Sequence, residues 1–182
     1  MPRLLLISGS LRAGSTNTAV LRTAADLAPT GTDAELYDGM GSLPHFNPDD
    51  DPDGGPVDPA VAELRAAIAA ADGLLLCTPE YAGALPGALK NLLEWTVGDA
   101  STYAKPVAWI NASSVAAPTG GADAHESLRN VLGYVGAEIV EDACVRLPVS
   151  RGSVEQDGLV HDADLREGIA ASVRALGAAL GA

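Results

Sequence analysis

The sequence predicts an α/β fold in which a doubly wound, five-stranded parallel sheet carries helices on both faces. Three observations point to it. Short, continuous apolar runs recur along the chain, as in strands that are buried on both faces. Longer stretches with helical spacing separate these runs. Glycine, proline and hydroxyl side chains then follow several of the apolar runs, as in ligand-binding loops at the carboxyl ends of parallel strands. We expect residues 1–182 to form one domain.

The strand predictions depend mainly on apolar runs that end at turn residues. RLLLIS near the start of the chain and GLLLCT in its middle are the strongest. The five predicted strands are Arg3–Ser8, Asp33–Tyr37, Gly73–Thr78, Pro106–Asn111 and Ala137–Val145.

Five helical segments alternate with these strands, which favours right-handed crossovers in a parallel sheet. They are Thr16–Leu27, a helix that begins at Pro59 after the capping residue Asp58, Pro86–Trp95, a stretch with Leu128, Val131, Leu132 and Val135 aligned, and Asp162–Leu180. Residues 38–58 have no periodicity and many Pro, Gly and Asp residues, so they are predicted to form a long loop, which in a compact domain is usually functional or mobile.

The charge balance limits the possible partners. With 11 basic and 24 acidic residues the formal net charge is −13, which argues against nucleic acid and anionic membranes as partners. A small anionic ligand remains possible, because it responds to local donors. No apolar stretch approaches the roughly 18 residues of a membrane span, and the first apolar run is too short for a signal peptide, so we expect a cytoplasmic protein.

The two cysteines, Cys77 and Cys144, each lie in an apolar run and lack metal-ligand spacing. We therefore expect buried free thiols, and we predict no metal site.

The loop after the first predicted strand has the composition of an anion site. It contains hydroxyl side chains and opens a helix, so free backbone N–H groups and the positive helix end face the same point. Arg12 adds a planar fork of donors that suits phosphate. The loop lacks both GxxxxGK[ST] and GxGxxG, so a single phosphomonoester fits better than a nucleoside triphosphate or a dinucleotide. The alternative is an ordinary turn with Ser15 or Thr16 as the helix N-cap.

Two further loops follow predicted strands. Residues 78–87 contain two prolines, two glycines and Tyr81, a rigid combination that suits a flat heteroaromatic ring, although a purely structural connector is the alternative. Residues 111–121 are small, polar and rich in glycine, which allows close backbone approach but is the least specific of the three signals.

Two motifs resemble those of a known family. GSLRAGSTN, residues 9–17, resembles the GSxRxxSxN phosphate loop of the NADPH-dependent FMN reductases of the flavodoxin superfamily. PEYAGALPGALKNLLEW, residues 79–95, resembles their PEYNxxxPgxLKNxxDW segment, and the likeness spans essentially the whole chain. The resemblance implies a flavodoxin-like sheet of order 2-1-3-4-5 and a homodimer or homotetramer. It also implies hydride transfer from NADPH or NADH to FMN, and then to flavin, quinone or a similar small acceptor.

The resemblance also implies which residues bind the cofactor. Those expected at the FMN phosphate are Ser10, Arg12, Ser15, Thr16 and Asn17. Those expected along the isoalloxazine, largely through their backbone, are Pro79, Glu80, Tyr81 and Gly83. The looser matches in the third loop are Ser113, Ser114, Gly120 and Gly121.

The second motif departs from the family pattern at one important position. Ala82 stands where the family has Asn, and losing one hydrogen bond to the flavin would weaken binding by about 1 kcal/mol. Glu94 in place of Asp is a mild change. The alternative role for Lys90, Asn91, Glu94 and Trp95 is helix packing and a subunit interface.

No acid–base catalyst is predicted, because the flavin carries the redox chemistry. The three histidines, His45, His125 and His161, lie in polar surroundings and are expected at the surface, whereas Trp109 is expected in the core. The long loop, with His45 and Phe46, is our candidate for a wall of the acceptor pocket.

Two other functions are compatible with the same residues. One is an electron-carrying flavodoxin, although such carriers use a first loop without an arginine like Arg12. The other is a non-redox binding module that has lost its flavin, which the alanine at position 82 would favour.

Overall fold

The computed structural model describes residues 1–113 and 118–181. Its sheet has the strand order β2-β1-β3-β4-β5, all pairs being parallel, and a sixth strand pairs with the end of β4. The flavodoxin-like order is thus confirmed, with one strand more than predicted. The strands are β1 Arg3–Ser8, β2 Asp33–Tyr37, β3 Gly73–Thr78, β4 Pro106–Ala112, β5 Glu138–Ile139 and β6 Val145–Leu147.

Five α-helices are described, each within a few residues of its predicted bounds where bounds were given. Side-chain oxygens of Ser15, Asp58 and Asp162 accept backbone N–H groups at the starts of three of them, as N-cap residues do. Within the described ranges, none of these helices combines the length and apolarity that crossing a bilayer requires. The helices are α1 Thr16–Asp26, α2 Pro59–Ala70, α3 Gly87–Glu94, α4 Ala122–Tyr134 and α5 Ala163–Ala179.

The sheet separates two apolar cores. Successive side chains of a strand point to opposite faces, so Leu74 and Leu76 of β3 join α2, α3 and α4, whereas Leu75 and Cys77 join α1 and α5. Trp109 is fully buried in the first core, as predicted. Burial on both faces explains why β3 is apolar almost throughout.

The predicted fifth strand, Ala137–Val145, is wrong as a single element. It divides into β5 and β6, with a 3₁₀ turn at Glu141–Ala143 between them. The turn buries Ala143, whose carbonyl accepts a hydrogen bond from Ser172 of α5 at 2.6 Å. It also exposes Glu141, which pairs with Arg129 of α4. The acidic residues of the turn, Glu141 and Asp142, therefore reach solvent.

Candidate functional site

The carboxyl ends of β1, β3 and β4 meet at one edge of the sheet, beside the point where the strand order reverses. A cavity of about 300 Å³ lies there, lined by the loops after β1 and β3, the end of β4 and the segment after β6. Such a crevice is where open α/β sheets bind ligands. The lining residues are Ser10, Arg12, Ser15, Thr16 and Asn17 from the first loop, Pro79 and Tyr81 from the second, Ala112, and Val149, Ser150 and Arg151 after β6.

The first loop packs tightly on β3 at Gly9. A Cβ atom there would lie 2.7 Å from Thr78 Oγ1, and the Gly9 N–H donates to the Cys77 carbonyl at 2.7 Å. A larger residue at this position would push the loop away from β3. Ser15 caps α1, since its Oγ accepts the N–H of Asn17 at 3.2 Å. The capping alternative is therefore correct for Ser15, but its own O–H proton can still be donated toward the cavity.

Asn17 lines the cavity, yet its side chain is engaged inside the protein. Only 3% of the residue is exposed. Its Oδ1 accepts from the Cys77 thiol at 3.3 Å, and its Nδ2 donates to Ser15 Oγ at 3.4 Å. Burial raises the pKa of Cys77, so the thiol keeps the proton that it donates. Asn17 thus holds the first loop and α1 on β3.

The second loop contains a tight turn at Ala82 and Gly83. Tyr81 and Ala84 exchange backbone hydrogen bonds of 3.0 and 3.1 Å, and the two central residues have φ of 52° and 72°. This is the pattern of a type I′ turn, for which Asn-Gly is the preferred pair. Ala82 therefore sits in a backbone region that alanine rarely adopts. Tyr81, 53% exposed, stands at the cavity.

Glu80 turns away from the cavity and ties the second loop to the third. Its two carboxylate oxygens accept from Thr119 Oγ1 at 2.6 and 2.7 Å. One of them also accepts the Ala124 N–H, in the first turn of α4, at 3.2 Å. Thr119 lies in the predicted third loop but was not among the predicted site residues. The predicted residues Glu80, Gly83, Ser113, Gly120 and Gly121 do not line the cavity.

The third loop begins at Ser113, whose N–H donates to the Leu147 carbonyl at 3.2 Å. It ends at Gly120 and Gly121, directly before α4. Ser114, also predicted for this loop, lies outside the described residues.

His125 was expected at the surface, and this expectation is wrong. The residue is half-buried, and its Nδ1 accepts a hydrogen bond from Trp109 Nε1 at 3.0 Å. Burial lowers the pKa of His125, and the positive charges of Arg129 and Arg146 lower it further. A neutral ring fits the acceptor role toward Trp109, and Asn111 Oδ1 also lies 3.0 Å from the same Nδ1. Trp109 was correctly expected in the core. That its indole N–H would need a hydrogen-bond acceptor inside the protein, which His125 supplies, was not foreseen. His45 and His161 are exposed, as predicted.

Helix α3 anchors the long loop. Asn91 Oδ1 accepts the Phe46 N–H at 2.8 Å, while its Nδ2 and Trp95 Nε1 both donate to the Pro44 carbonyl at 2.9 Å. The Phe46 ring packs edge-on against Trp95, with 5.0 Å between centroids. Asn91 and Trp95 therefore hold residues 44–46 in place. A packing role was the alternative for these two residues and for Lys90 and Glu94.

Lys90 and Glu94 pair with each other on the solvent side of α3, with 2.7 Å between the Lys90 Nζ and the Glu94 carboxylate.

Ser150 and Arg151 line the cavity although no motif or periodicity in the sequence marked their segment.

The sequence of residues 2–152 matches the family model for NADPH-dependent FMN reductase. The chain belongs to this family. It is 36% identical to an NAD(P)H-dependent FMN reductase of Pseudomonas aeruginosa, over 96% of this chain and 92% of that protein. It is 32% identical to a 2-hydroxy-1,4-benzoquinone reductase of Burkholderia sp, over 91% of this chain and 88% of that one. The chain is thus an oxidoreductase that uses FMN and NAD(P)H, as the two motifs implied.

A solved structure agrees. A flavoenzyme NAD(P)H:(acceptor) oxidoreductase from Paracoccus denitrificans superposes with a TM-score of 0.81 and 28% identity, and the match covers 98% of both chains. The FMN reductase family and its flavodoxin-like fold therefore account for nearly the whole chain.

Proposed function

We propose that the cavity binds FMN, with the phosphate against the first loop and the isoalloxazine along the second and third. The observation that carries this proposal is one cavity at the switch point of the sheet, lined by the first loop, the second loop, the end of β4 and the segment after β6. The phosphate would contact Ser10, Arg12, Ser15 and Thr16. The ring would lie along Pro79 and Tyr81 and extend past the cavity toward Gly83, Ser113, Gly120 and Gly121.

The donor set fits a phosphomonoester. Three hydroxyl groups, the first turn of α1 and the guanidinium of Arg12 face one cavity, and hydrogen bonds to an anion are among the stronger ones in proteins. Asn17 and Glu80, two predicted cofactor ligands, would act instead by fixing the loops. Ala82 would weaken binding mainly through the strain of its turn.

The chain's contribution to the reaction is binding and orientation. Bound FMN would supply the hydride chemistry between NAD(P)H and the acceptor. None of the described residues that line the cavity is a carboxylate, a histidine or a cysteine. The lining residues therefore position the reacting molecules by hydrogen bonds and van der Waals contact, and no side chain acts as acid or base.

A quinone is the proposed acceptor class. The support is the 2-hydroxy-1,4-benzoquinone reductase of Burkholderia and a quinone reductase of Escherichia coli, which is 33% identical over 76% of this chain and 73% of that protein. We further propose that residues 38–58 form one wall of the acceptor pocket. Their anchoring on α3 gives that wall a fixed shape.

The wider organisation of the protein is also proposed. Residues 1–182 would form one domain of a cytoplasmic homodimer or homotetramer. Large apolar side chains at the base of α3 and α4 support an oligomer, since Val97, Tyr103 and Tyr134 are 60%, 72% and 95% exposed. Light scattering on the purified protein measures the assembly directly.

The cavity assignment can be tested with Arg12→Ala and Ser10→Ala variants. We expect each to weaken FMN binding, by about tenfold for the arginine and a few-fold for the serine. NADPH oxidation with a benzoquinone should fall at low FMN and recover at saturating FMN. Unchanged FMN affinity in both variants would show that the phosphate binds elsewhere. Lys90→Ala, on the outer face of α3, is the control.

A further inference from the structure

Arg151 faces the first loop across the cavity. It follows β6, more than a hundred residues after Arg12 in the sequence, yet both side chains line the same space as Ser10 and Ser15. The two arginines are its only cationic lining residues among those that the structure describes.

The charge distribution sets these arginines apart. In a chain of net charge −13, six of the eleven Lys and Arg side chains form ion pairs within the described ranges. The side chains of Arg12 and Arg151 form neither an ion pair nor a hydrogen bond with any described residue, and the same holds for Arg22 and Arg146, which do not line this cavity. Uncompensated cations in an acidic protein generate a local field that favours an anion.

The backbone that carries Arg151 is held in place. Val149 is buried, and its N–H donates to the Leu147 carbonyl at 2.9 Å. Ser150 and Ser153 bond to each other across the following turn, with 3.1 Å between their hydroxyl oxygens. The arginine therefore starts from a fixed point at the cavity rim, which reduces the entropy lost when it binds a ligand.

We propose that Arg151 is the second cation of the phosphate site and pairs with Arg12 on the phosphomonoester of FMN. This inference rests on the proposed function. A phosphomonoester carries a charge of about −1.5 to −2 at neutral pH, so one arginine leaves it partly uncompensated and two neutralise it. Each guanidinium can donate two parallel hydrogen bonds to phosphate oxygens. Arg151 thereby makes the site selective for FMN over riboflavin.

Arg22 offers a matched control. It is also exposed and unpaired among the described residues, but it lines an adjacent cavity of about 290 Å³ with Arg12, Val154 and Gly158. Removing Arg22 or Arg151 changes the net charge equally. Of Arg22 and Arg151, Arg151 alone lines the cavity that contains Ser10, Thr16 and Asn17.

The test measures the Kd values of FMN and riboflavin by flavin fluorescence, in wild type and in Arg151→Ala, Arg151→Lys and Arg22→Ala. We expect Arg151→Ala to weaken FMN binding by about tenfold and riboflavin binding by less than about twofold. Lysine should restore part of the loss, because it keeps the charge without the planar fork. Arg22→Ala should match wild type.

The same variants separate the outcomes. An Arg151→Ala protein that keeps the wild-type ratio of FMN to riboflavin affinity overturns the inference, as does a larger loss in Arg22→Ala. A changed KM for NADPH relative to NADH, with FMN affinity unchanged, overturns it too, because the phosphate would then be that of the nicotinamide cofactor. If the wild type binds neither flavin, the proposed function itself fails.

Discussion

The Glu80 carboxylate accepts the Thr119 hydroxyl at 2.6 Å and so joins the loop after β3 to the loop after β4. The same carboxylate accepts a backbone N–H in the first turn of α4, where negative charge is favoured by the helix dipole. One acidic side chain thus connects two walls of the proposed ring site to a helix end. Its role is to position these loops.

Removing this connection should loosen the site. Glu80→Gln keeps the size of the side chain but loses the charge, and Thr119→Val loses the donor. We expect each to weaken FMN binding by about three- to tenfold and to lower the unfolding free energy by about 1 kcal/mol. Titration with FMN and urea unfolding measure the two effects. Glu94→Gln, which breaks only the surface pair with Lys90, should change neither. Wild-type affinity in both loop variants would contradict the positioning role.

The turn at Ala82 should tolerate substitution by residues that favour left-handed backbone. Because φ is 52°, Ala82→Gly and Ala82→Asn should relieve strain and stabilise the protein by about 1 kcal/mol, or about 2–4 °C in Tm. FMN affinity should rise for the same reason. Ala100 has nearly the same φ, 54°, and lies outside the site, so Ala100→Gly should raise Tm without changing FMN affinity. A Tm below that of the wild type in both Ala82 variants would show that the backbone at Ala82 is not strained.

Asn91 should influence acceptor use without influencing cofactor binding. Asn91→Ala removes the acceptor for Phe46 N–H and one of the two donors to the Pro44 carbonyl. The long loop should then lose its fixed position, so the KM for a benzoquinone should rise about three- to tenfold while the Kd for FMN stays the same. Steady-state kinetics at saturating FMN checks this. An unchanged KM would show that residues 38–58 do not form a wall of the acceptor pocket.

The cluster around His125 predicts how stability depends on pH. The pKa of His125 is lowered in the folded protein by burial and by Arg129 and Arg146, against opposing effects of Glu141 and Glu126. As the pH falls through about 6.5, His125 therefore takes up a proton in the unfolded chain before it does so in the folded protein. The free energy of unfolding decreases over this range. His125→Gln, whose amide oxygen can still accept from Trp109, should show a smaller decrease between about pH 7.5 and pH 5.5. Urea unfolding at both pH values tests this, and an equal decrease in wild type and variant would contradict it.

The parts of the fold that the sequence predicts well are those set by local composition. The bounds of β1, β2 and β3 are the predicted ones, because an apolar or alternating run ends at a charged or turn residue on each side. The division of the predicted fifth strand depends on contacts with Ser172 and Arg129, which lie in other elements. No local pattern in residues 137–145 carries that information.

The site shows the same division between local and distant information. The first and second loops were found because their motifs are contiguous in sequence, and the structure brings Ser10, Arg12, Tyr81 and their neighbours together. That Asn17 and Glu80 turn inward depends on their partners, Cys77 and Thr119. Arg151 enters the cavity only through the pairing of β6 with β4.

The most direct measurement is a titration of the purified protein with FMN, followed by anaerobic addition of NADPH or NADH. Flavin fluorescence reports binding, and the visible absorption of the flavin reports its reduction. We expect one FMN bound per chain and rapid loss of the absorption when either nicotinamide cofactor is added, more rapid with the preferred one. Binding without reduction would indicate an electron carrier, and no binding at all would contradict the assignment of the cavity to FMN.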